Sequence, residues 1–380
     1  MDQLVIPFTK PYWGDEEEQA VMHALRTTLG TGDGTYCEQF TEGLKKLTGS
    51  AFVLPVSSAT HAMEASIRAL GIGPGDEVIV PSFTFTATAN AVVMAGATPI
   101  FVESEEESFG PDPKDIKRMI TDKTKAIMVL HYAGMPCRIT EISEIAATHG
   151  IPVIEDAAHC VGSTYNSKAL GTFGTVGVYS FHGTKNVCTG EGGAILSSDE
   201  ALFDRMEQIH ANGTNRRQFL KGQVDKYSWV TAGSSYFLSE VLASIGVAQL
   251  PKIPEINAKR TEIAKMYTKY IHSYEQVCSV PRVPKGTSPN WHIYALRLKN
   301  RAAAEVLLRG LRSVGIGATT HYVPLHSSAY GRMIAGSRYR ELPIATDISE
   351  TIVRLPIYPG LTSAQVVYIS EQTVKILKTL

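Results

Sequence analysis

Lys185 stands in Ser180-Phe181-His182-Gly183-Thr184-Lys185-Asn186, and the run Thr189-Gly190-Glu191-Gly192-Gly193-Ala194 follows at once. A lysine in a turn of small residues between two apolar strands can hold an aldehyde as a Schiff base. Most lysines are solvated loop cations, because burying an unpaired ammonium is costly. The weight of Lys185 therefore rests on a second segment, Ile151-Pro152-Val153-Ile154-Glu155-Asp156-Ala157-Ala158-His159, an apolar strand with two acids at its carboxyl end. Ligands of open α/β sheets bind outside the carboxyl ends of the strands, which puts Asp156 at a crevice. Capping a helix before Ala157-Ala158 is the plainer role for that acid, and the two are compatible. A lysine and a carboxylate together are what an aldehyde cofactor with a pyridine ring requires. The lysine takes the aldehyde, and the carboxylate keeps the ring nitrogen protonated, so that the ring drains electrons from a substrate carbanion. An opposite charge within hydrogen-bond reach moves a pKa by roughly 1 to 3 units toward the charged form, enough to keep a pyridinium protonated at neutral pH.

Such a cofactor brings a phosphate, and a phosphate needs N–H groups at a helix start. Leu54-Pro55-Val56-Ser57-Ser58-Ala59-Thr60-His61 supplies a strand, a run of small hydroxyl residues and then a helix. Backbone amides around Ser58, Ala59 and Thr60, together with the helix dipole, favour an anion there, and the two hydroxyls add donors. A plain capped helix, with Ser58 or Thr60 as the cap, is the bland alternative. Ser180, five residues before the lysine, is a further phosphate donor. Phe85, in Pro81-Ser82-Phe83-Thr84-Phe85-Thr86, is positioned to cover a planar ring by offset stacking, although an aromatic after a buried strand is more often core.

The elements that must hold these residues alternate. Val78 to Val80, Ile100 to Val102, Ala126 to Leu130 and Val153 to Ile154 read as strands, and Thr60 to Leu70, Thr86 to Ala95, Asp115 to Ile120 and Ile139 to His149 as helices. Alternation of this kind predicts an α/β fold with a mostly parallel central sheet covered on both faces. Val176 to Phe181 and Ala194 to Ser197 flank the lysine turn as further strands, and Asp15 to Thr28 has helical spacing. The pattern changes near Pro251-Lys252-Ile253-Pro254. A long helix from Ile256 to Tyr274, a proline-rich stretch, a strand from His292 to Leu298 and helices from Ala302 to Val314 and Ser363 to Leu380 predict a smaller α+β domain. The division expected is residues 1–250 and 251–380.

The lysine segment, Glu155-Asp156-Ala157-Ala158-His159, Pro81-Ser82-Phe83-Thr84-Phe85 and the Pro74-Gly75-Asp76-Glu77-Val78 turn resemble the pyridoxal-phosphate sugar aminotransferases of the DegT/DnrJ/EryC1 group. The likeness runs from Ile6-Pro7-Phe8 to Leu355-Pro356. It implies the aspartate-aminotransferase-like fold type I of pyridoxal-phosphate transferases, with pyridoxamine phosphate as the intermediate cofactor form. Gly213-Thr214-Asn215-Arg216, Gly222 to Trp229 and Gly233-Ser234-Ser235-Tyr236 make the likeness strongest to the branch that aminates C4 of dTDP-4-keto-6-deoxyglucose. The product there is dTDP-4-amino-4,6-dideoxygalactose, with L-glutamate as the donor the resemblance implies. The wider group has Asn and Arg where Ser235 and Phe237 stand, so Ser235 enters as a substitute for a phosphate-binding asparagine of a neighbouring subunit. His159 stands where many members have Gln, and the resemblance implies a contact to the cofactor's ring hydroxyl, which either side chain can make.

Asn212 to Trp229 is long and polar, and long ordered loops are usually functional. By resemblance its Arg216, Lys221, Lys226 and Tyr227 reach a nucleotide sugar across a homodimer interface, where a diphosphate attracts the cations; a solvated surface loop is the alternative. His321 and Tyr322, in His321-Tyr322-Val323-Pro324-Leu325-His326, resemble the family's substrate-side strand, and neither His321 nor His326 is given a catalytic role. The implied assembly is a homodimer with shared active sites, or a higher oligomer built from it. Rival readings are a C3-aminotransferase on the same scaffold, a sugar 3-dehydratase, a non-catalytic cofactor or sugar binder, and a nicotinamide dehydrogenase. Dehydratases of this group carry His at the lysine position, and no Gly-x-Gly-x-x-Gly opens a helix after the first strand, which weighs against the last.

With 36 Lys and Arg against 37 Asp and Glu, the net charge is -1, which gives no basis for binding nucleic acid. Five widely spaced cysteines without a Cys-x-x-Cys pair read as free thiols in a reducing compartment, with no metal site. Met1-Asp2-Gln3-Leu4 lacks a basic start and a sustained apolar stretch, and no run is long enough to span a bilayer, so a cytoplasmic protein without a membrane partner is expected.

Overall fold

Runs of Val and Ile bounded by glycine and polar turns make seven strands: β1 (Phe52–Val56), β2 (Glu77–Pro81), β3 (Thr98–Val102), β4 (Thr124–Leu130), β5 (Val153–Asp156), β6 (Val176–Ser180) and β7 (Gly193–Ser197). The computed structural model describes residues 5–380, so the Met1–Leu4 stretch read for a leader lies outside the described residues. The strands form one sheet in the order β1-β7-β6-β5-β4-β2-β3. Pairing is parallel from β3 across to β6, while β7 is antiparallel to both β6 and β1. Every strand but β7 therefore points its carboxyl end toward the same edge.

Side chains alternate across the sheet. Val78 and Val80 of β2 pack beneath helices Ala59–Ala69 and Thr86–Met94, whereas Ile79 packs beneath Pro113–Met119 and Ile139–His149. All of β2, β6 and β7 is buried, as an α/β sheet covered on both faces requires. The predicted α/β fold with a mostly parallel sheet is thus the one observed.

Beyond Pro251 a second core forms. Strands β8 (Cys278–Ser279), β9 (Tyr294–Leu298) and β10 (Ile352–Leu355) make an antiparallel sheet in that order. Helices Ile253–Ile271, Arg301–Ser313 and Ser363–Leu377 cover it with Tyr267, Leu307, Leu311 and Ile369. Ile6 belongs to this core and bridges to Ile316. The long helix begins earlier than its apolar spacing predicts, because Pro254 fits the first turn, where its missing N–H costs nothing.

The Asn212–Trp229 stretch is not an open loop. Asn212 (φ 59°) and Gly213 (φ 74°) turn the chain, helix Arg216–Leu220 follows, and Thr214 bridges to Trp229. Gly213 is required, since a Cβ there would lie within 1.9 Å of the Thr231 carbonyl oxygen. The five cysteines are buried and free. Among the described residues no helix is long and apolar enough to cross a membrane.

Candidate active site

The carboxyl edge of the sheet collects the predicted residues. Ser57 to Thr60 follow β1, Phe85 follows β2, Asp156 ends β5, and Ser180 ends β6 just before the lysine turn. β5 and β6 are neighbours, with Asp156 paired to Val178, so the acid and the lysine come from adjacent strand ends.

The turn from Phe181 to Gly192 is built by its own backbone. Phe181 N–H donates to the Gly192 carbonyl, Gly183 to Gly190, Lys185 to His182 and Thr189 to Phe181, each at 2.8 Å. Gly190 takes φ 91°, a left-handed conformation that disfavours any side chain. The Lys185 side chain is half-buried. Burial lowers its pKa from 10.5 to about 8, against the pull of Asp156 and Cys160 in the other direction. The free amine, the nucleophilic form, is thus far more populated near neutral pH than in an ordinary lysine, although the ammonium still predominates.

Asp156 is buried. Its Oδ2 accepts from Thr88 Oγ1 at 2.8 Å and its Oδ1 from the Ala158 N–H at 3.2 Å. Burial raises its pKa, opposed by those two donors and by the Lys185 charge. A carboxylate offers about four lone-pair sites, so room remains for a third donor. The neighbouring Glu155 faces the opposite side of the sheet, where it accepts from His131 Nε2 (2.7 Å), the Gly171 N–H (2.8 Å) and the Gly174 N–H. Of the two acids, only Asp156 turns to the lysine side.

Ser58 is the N-cap of Ala59–Ala69 and accepts from the His61 N–H at 3.1 Å. This leaves the Ala59 and Thr60 amides without acceptors inside the helix. β7 presses against this start, since a Cβ on Gly193 would come within 2.5 Å of the Ala59 nitrogen. Phe85 sits at the start of Thr86–Met94, 57% exposed, while Phe83 is the buried core aromatic. Ser180 is buried and accepts weakly from the His182 N–H at 3.4 Å.

His159 is buried, and burial reinforced by Lys185 holds its pKa well below 6.5. Its Nδ1 accepts from the Ala133 N–H, and its Nε2 faces the Tyr322 hydroxyl, both at 3.4 Å. His321 stacks on Tyr322 at 3.6 Å and meets the Tyr132 hydroxyl at 2.9 Å. Both predicted substrate-side residues therefore reach the His159 wall. His326 is tied to Ser82 Oγ at 2.6 Å.

Arg216, Lys221, Lys226, Tyr227 and Ser235 are not brought to that wall within one chain. Arg216 lies 3.9 Å from Asp33, Lys221, Lys226 and Tyr227 are exposed, and exposed Ser235 bridges to Ala211. Among the described residues no hydrogen bond, ion pair or ring contact links them to Lys185 or Asp156. The sequence reading missed Thr88, Tyr132, His292 and Arg354. His292 packs on His159 at 4.5 Å and meets Asn186 Oδ1 at 3.0 Å. Asn186, next to the lysine, was the one available pointer to it.

The arrangement defines a site for amine chemistry on an electron-withdrawing ring. A model of the DegT/DnrJ/EryC1/StrS aminotransferase family matches residues 11–374. The GDP-perosamine synthase of Escherichia coli O157:H7 is 33% identical over 367 residues, spanning 96% of this chain and 97% of its own. The aminotransferase TlmJ from Streptoalloteichus hindustanus superposes with a TM-score of 0.91 at 28% identity, covering 99% of both chains. DesV of S. venezuelae, solved with a ketimine intermediate, gives 0.87 at 30% identity over 96% of this chain and 95% of its own. The chain belongs to the DegT/DnrJ/EryC1/StrS family and is a pyridoxal-phosphate-dependent sugar aminotransferase of fold type I. Such an enzyme takes a nucleotide sugar and an amino donor. The residues present fit the cofactor: a half-buried lysine shifted toward its amine, a buried carboxylate with spare acceptor capacity, and a helix start with free amides.

Proposed function

We propose that this enzyme moves the amino group of L-glutamate to C4 of dTDP-4-keto-6-deoxyglucose, giving dTDP-4-amino-4,6-dideoxygalactose, as a dTDP-4-amino-4,6-dideoxygalactose transaminase. The observation that carries the reading is that the Lys185 amine and the Asp156 carboxylate, from the neighbouring strands β6 and β5 and the turn after β6, lie within each other's field. The nucleotide and the carbon aminated rest on the likeness of Gly213–Arg216, Gly222–Trp229 and Gly233–Tyr236 to that branch.

Pyridoxal phosphate, when bound, supplies an exchangeable aldehyde and a protonated ring that accepts electrons from the substrate carbon. Lys185 Nζ tethers it, takes the proton from the α carbon of glutamate and later delivers a proton to C4 of the sugar. Asp156 holds the proton on the ring nitrogen, and Thr88 and the Ala158 N–H hold Asp156. The Ala59 and Thr60 amides, with the Ser58, Thr60 and Ser180 hydroxyls, bind the phosphate. Phe85 covers one ring face, and His159, kept neutral by burial, meets the ring hydroxyl.

His321 and Tyr322 line the sugar side. Arg216, Lys221, Lys226 and Tyr227 serve the diphosphate of the neighbouring subunit's site, and Ser235 its cofactor phosphate, in a homodimer. Phe219, Leu220, Tyr227 and Trp229 are large apolar side chains left exposed on the same segment, which supports cover by a second copy. The same reading divides the chain into residues 1–250, which carry the cofactor, and 251–380.

One relative is named for a GDP-linked sugar, so the test must discriminate nucleotides. Turnover of dTDP-4-keto-6-deoxyglucose well above that of a GDP-linked 4-keto sugar, with NMR locating the amine at C4, is the expected result. Preference for the GDP sugar, or an amine at C3, overturns the assignment.

A further inference from the structure

Asn186 follows the lysine directly, and both ends of its buried amide are held by the segment that leads into β9. Its Nδ2 donates to the Asn290 carbonyl at 2.7 Å, and its Oδ1 meets His292 Nδ1 at 3.0 Å. Flipping the amide would set its oxygen against the Asn290 carbonyl oxygen, so Oδ1 can only accept from the imidazole. His292 must therefore carry its proton on Nδ1. Asn290 is buried as well, and its side chain reaches the stretch after β5. There Nδ2 donates to the His159 and Val161 carbonyls at 2.8 and 2.9 Å, while Oδ1 accepts from the His292 N–H at 3.0 Å. The His292 ring packs on the His159 ring, with centroids 4.5 Å apart.

Between these two residues Trp291 takes φ 49°, a left-handed conformation that bulky residues rarely adopt. That turn lets the Asn290 carbonyl and the His292 ring converge on one partner, Asn186. The buried Arg260 braces it, donating from Nη1 to the Trp291 and His292 carbonyls at 3.1 and 3.3 Å. A mere contact between two cores needs no such set, because apolar packing joins them without taking polar groups out of water. A sparsely populated backbone conformation persists only where its surroundings fix it. What distinguishes this segment is what it grips: the lysine turn after β6 through Asn186, and His159 after β5 through both carbonyl and ring.

In the proposed mechanism Lys185 meets the aldehyde of the cofactor and His159 meets its ring hydroxyl. Those two groups stand on adjacent carbons of one ring, so the amine and the imidazole must keep a fixed separation while Lys185 alternately tethers and carries protons. We propose that Asn290, Trp291 and His292 form a positioning clamp that registers Lys185 against His159, with the bond from His292 Nδ1–H to Asn186 Oδ1 as its grip on the lysine turn. The inference rests on Lys185 and His159 serving one ring, and it adds the residues that set their spacing. Each of them acts through Lys185 or His159 and touches no reacting atom. Misplacing a reacting group by about 1 Å can cost about 10²-fold in rate, so the clamp acts on kcat rather than on substrate binding.

The test uses the holoenzyme. His292→Leu, which keeps bulk against His159 and removes the donor, should lower kcat about 10- to 100-fold. The KM values for L-glutamate and the dTDP-keto sugar should stay within about threefold. Asn186→Ala should do the same, and the double variant should lose little more than either single change, because both delete one bond. His292→Asn sets an amide N–H near the place of Nδ1 and should recover most of the loss, whereas His292→Gln, with its donor one bond further out, should not. That recovery also guards against misfolding. Two readouts need no turnover. Heteronuclear NMR of the imidazole nitrogens in apo-protein should show His292 protonated on Nδ1. The pH midpoint for capture of pyridoxal phosphate should rise by about one unit in His292→Leu, as water reaches the loosened lysine turn. An unchanged kcat in His292→Leu, equal activity of the Asn and Gln variants, additive losses in the double variant, or a His292 proton on Nε2 overturns the inference. A wild type that shows the Nδ1 proton and a midpoint that moves in His292→Leu, yet turns over no dTDP sugar, overturns the substrate assignment and upholds the clamp.

Discussion

Thr88 Oγ1 donates to Asp156 Oδ2 at 2.8 Å, and Thr84 Oγ1 lies 2.9 Å behind Thr88. The helix that starts after β2 thus holds the acid that ends β5. Because burial already pushes the Asp156 carboxyl up, losing that donor pushes it further and weakens its grip on a ring proton. Thr88→Val should lower kcat by about tenfold, the worth of one hydrogen bond to a charged group, and Asp156→Asn by about 10²-fold or more. Sugar KM should move little in either. An unchanged kcat in Asp156→Asn removes the acid from its role.

Capture of the cofactor aldehyde by apo-protein should follow the free amine of Lys185. The amine is protonated below its pKa and nucleophilic above it, so the rate should climb as pH rises through about 8 and then level off. Asp156 raises that pKa by attraction, so Asp156→Asn should move the midpoint to lower pH. A stopped-flow absorbance profile with its midpoint near the ordinary 10.5 would contradict the desolvated site.

Glu155 and Asp156 are adjacent but not equivalent. Glu155 is fully buried and satisfies His131 and two glycine amides. Glu155→Ala strands these donors and should cost about 3–5 kcal/mol in denaturant unfolding, with the bound-cofactor spectrum of the folded fraction unchanged. A spectral change equal to that of Asp156→Asn would show that both acids serve the ring.

Gly193→Ala puts a methyl against the Ala59 nitrogen and the Ser58 carbonyl carbon, both at 2.5 Å. Backbone must shift to make room, and the atoms that shift are those offered to the phosphate. Reconstitution should weaken about tenfold or more for pyridoxal phosphate and much less for pyridoxal, which has no phosphate. Equal losses would place the damage elsewhere.

Local signals made the carboxyl-edge residues legible. Short Val/Ile strands announced the sheet, and small-residue turns announced Ser58, Asp156 and Lys185, because each follows its strand within a few residues. Thr88 was hidden because a threonine inside an apolar helix carries no local mark, and only the fold sets it against Asp156. His292 and Arg354 come from the second core, more than a hundred residues beyond Lys185, and no periodicity predicts which strand end meets the first sheet. The helix Thr35–Thr48 was passed over behind the glycine run Gly30–Gly34, although Glu240 caps its start by accepting from the Tyr36 and Cys37 amides at 2.8 and 2.9 Å. That partner is distant in sequence and invisible to local reading.

The most direct measurement incubates holoenzyme with L-glutamate and dTDP-4-keto-6-deoxyglucose and follows the sugar by mass spectrometry and NMR, beside Lys185→Ala. The account predicts a C4 amine in the first reaction and untouched ketone in the second. Recovery of the ketone from both, or the same amine from both, would contradict it.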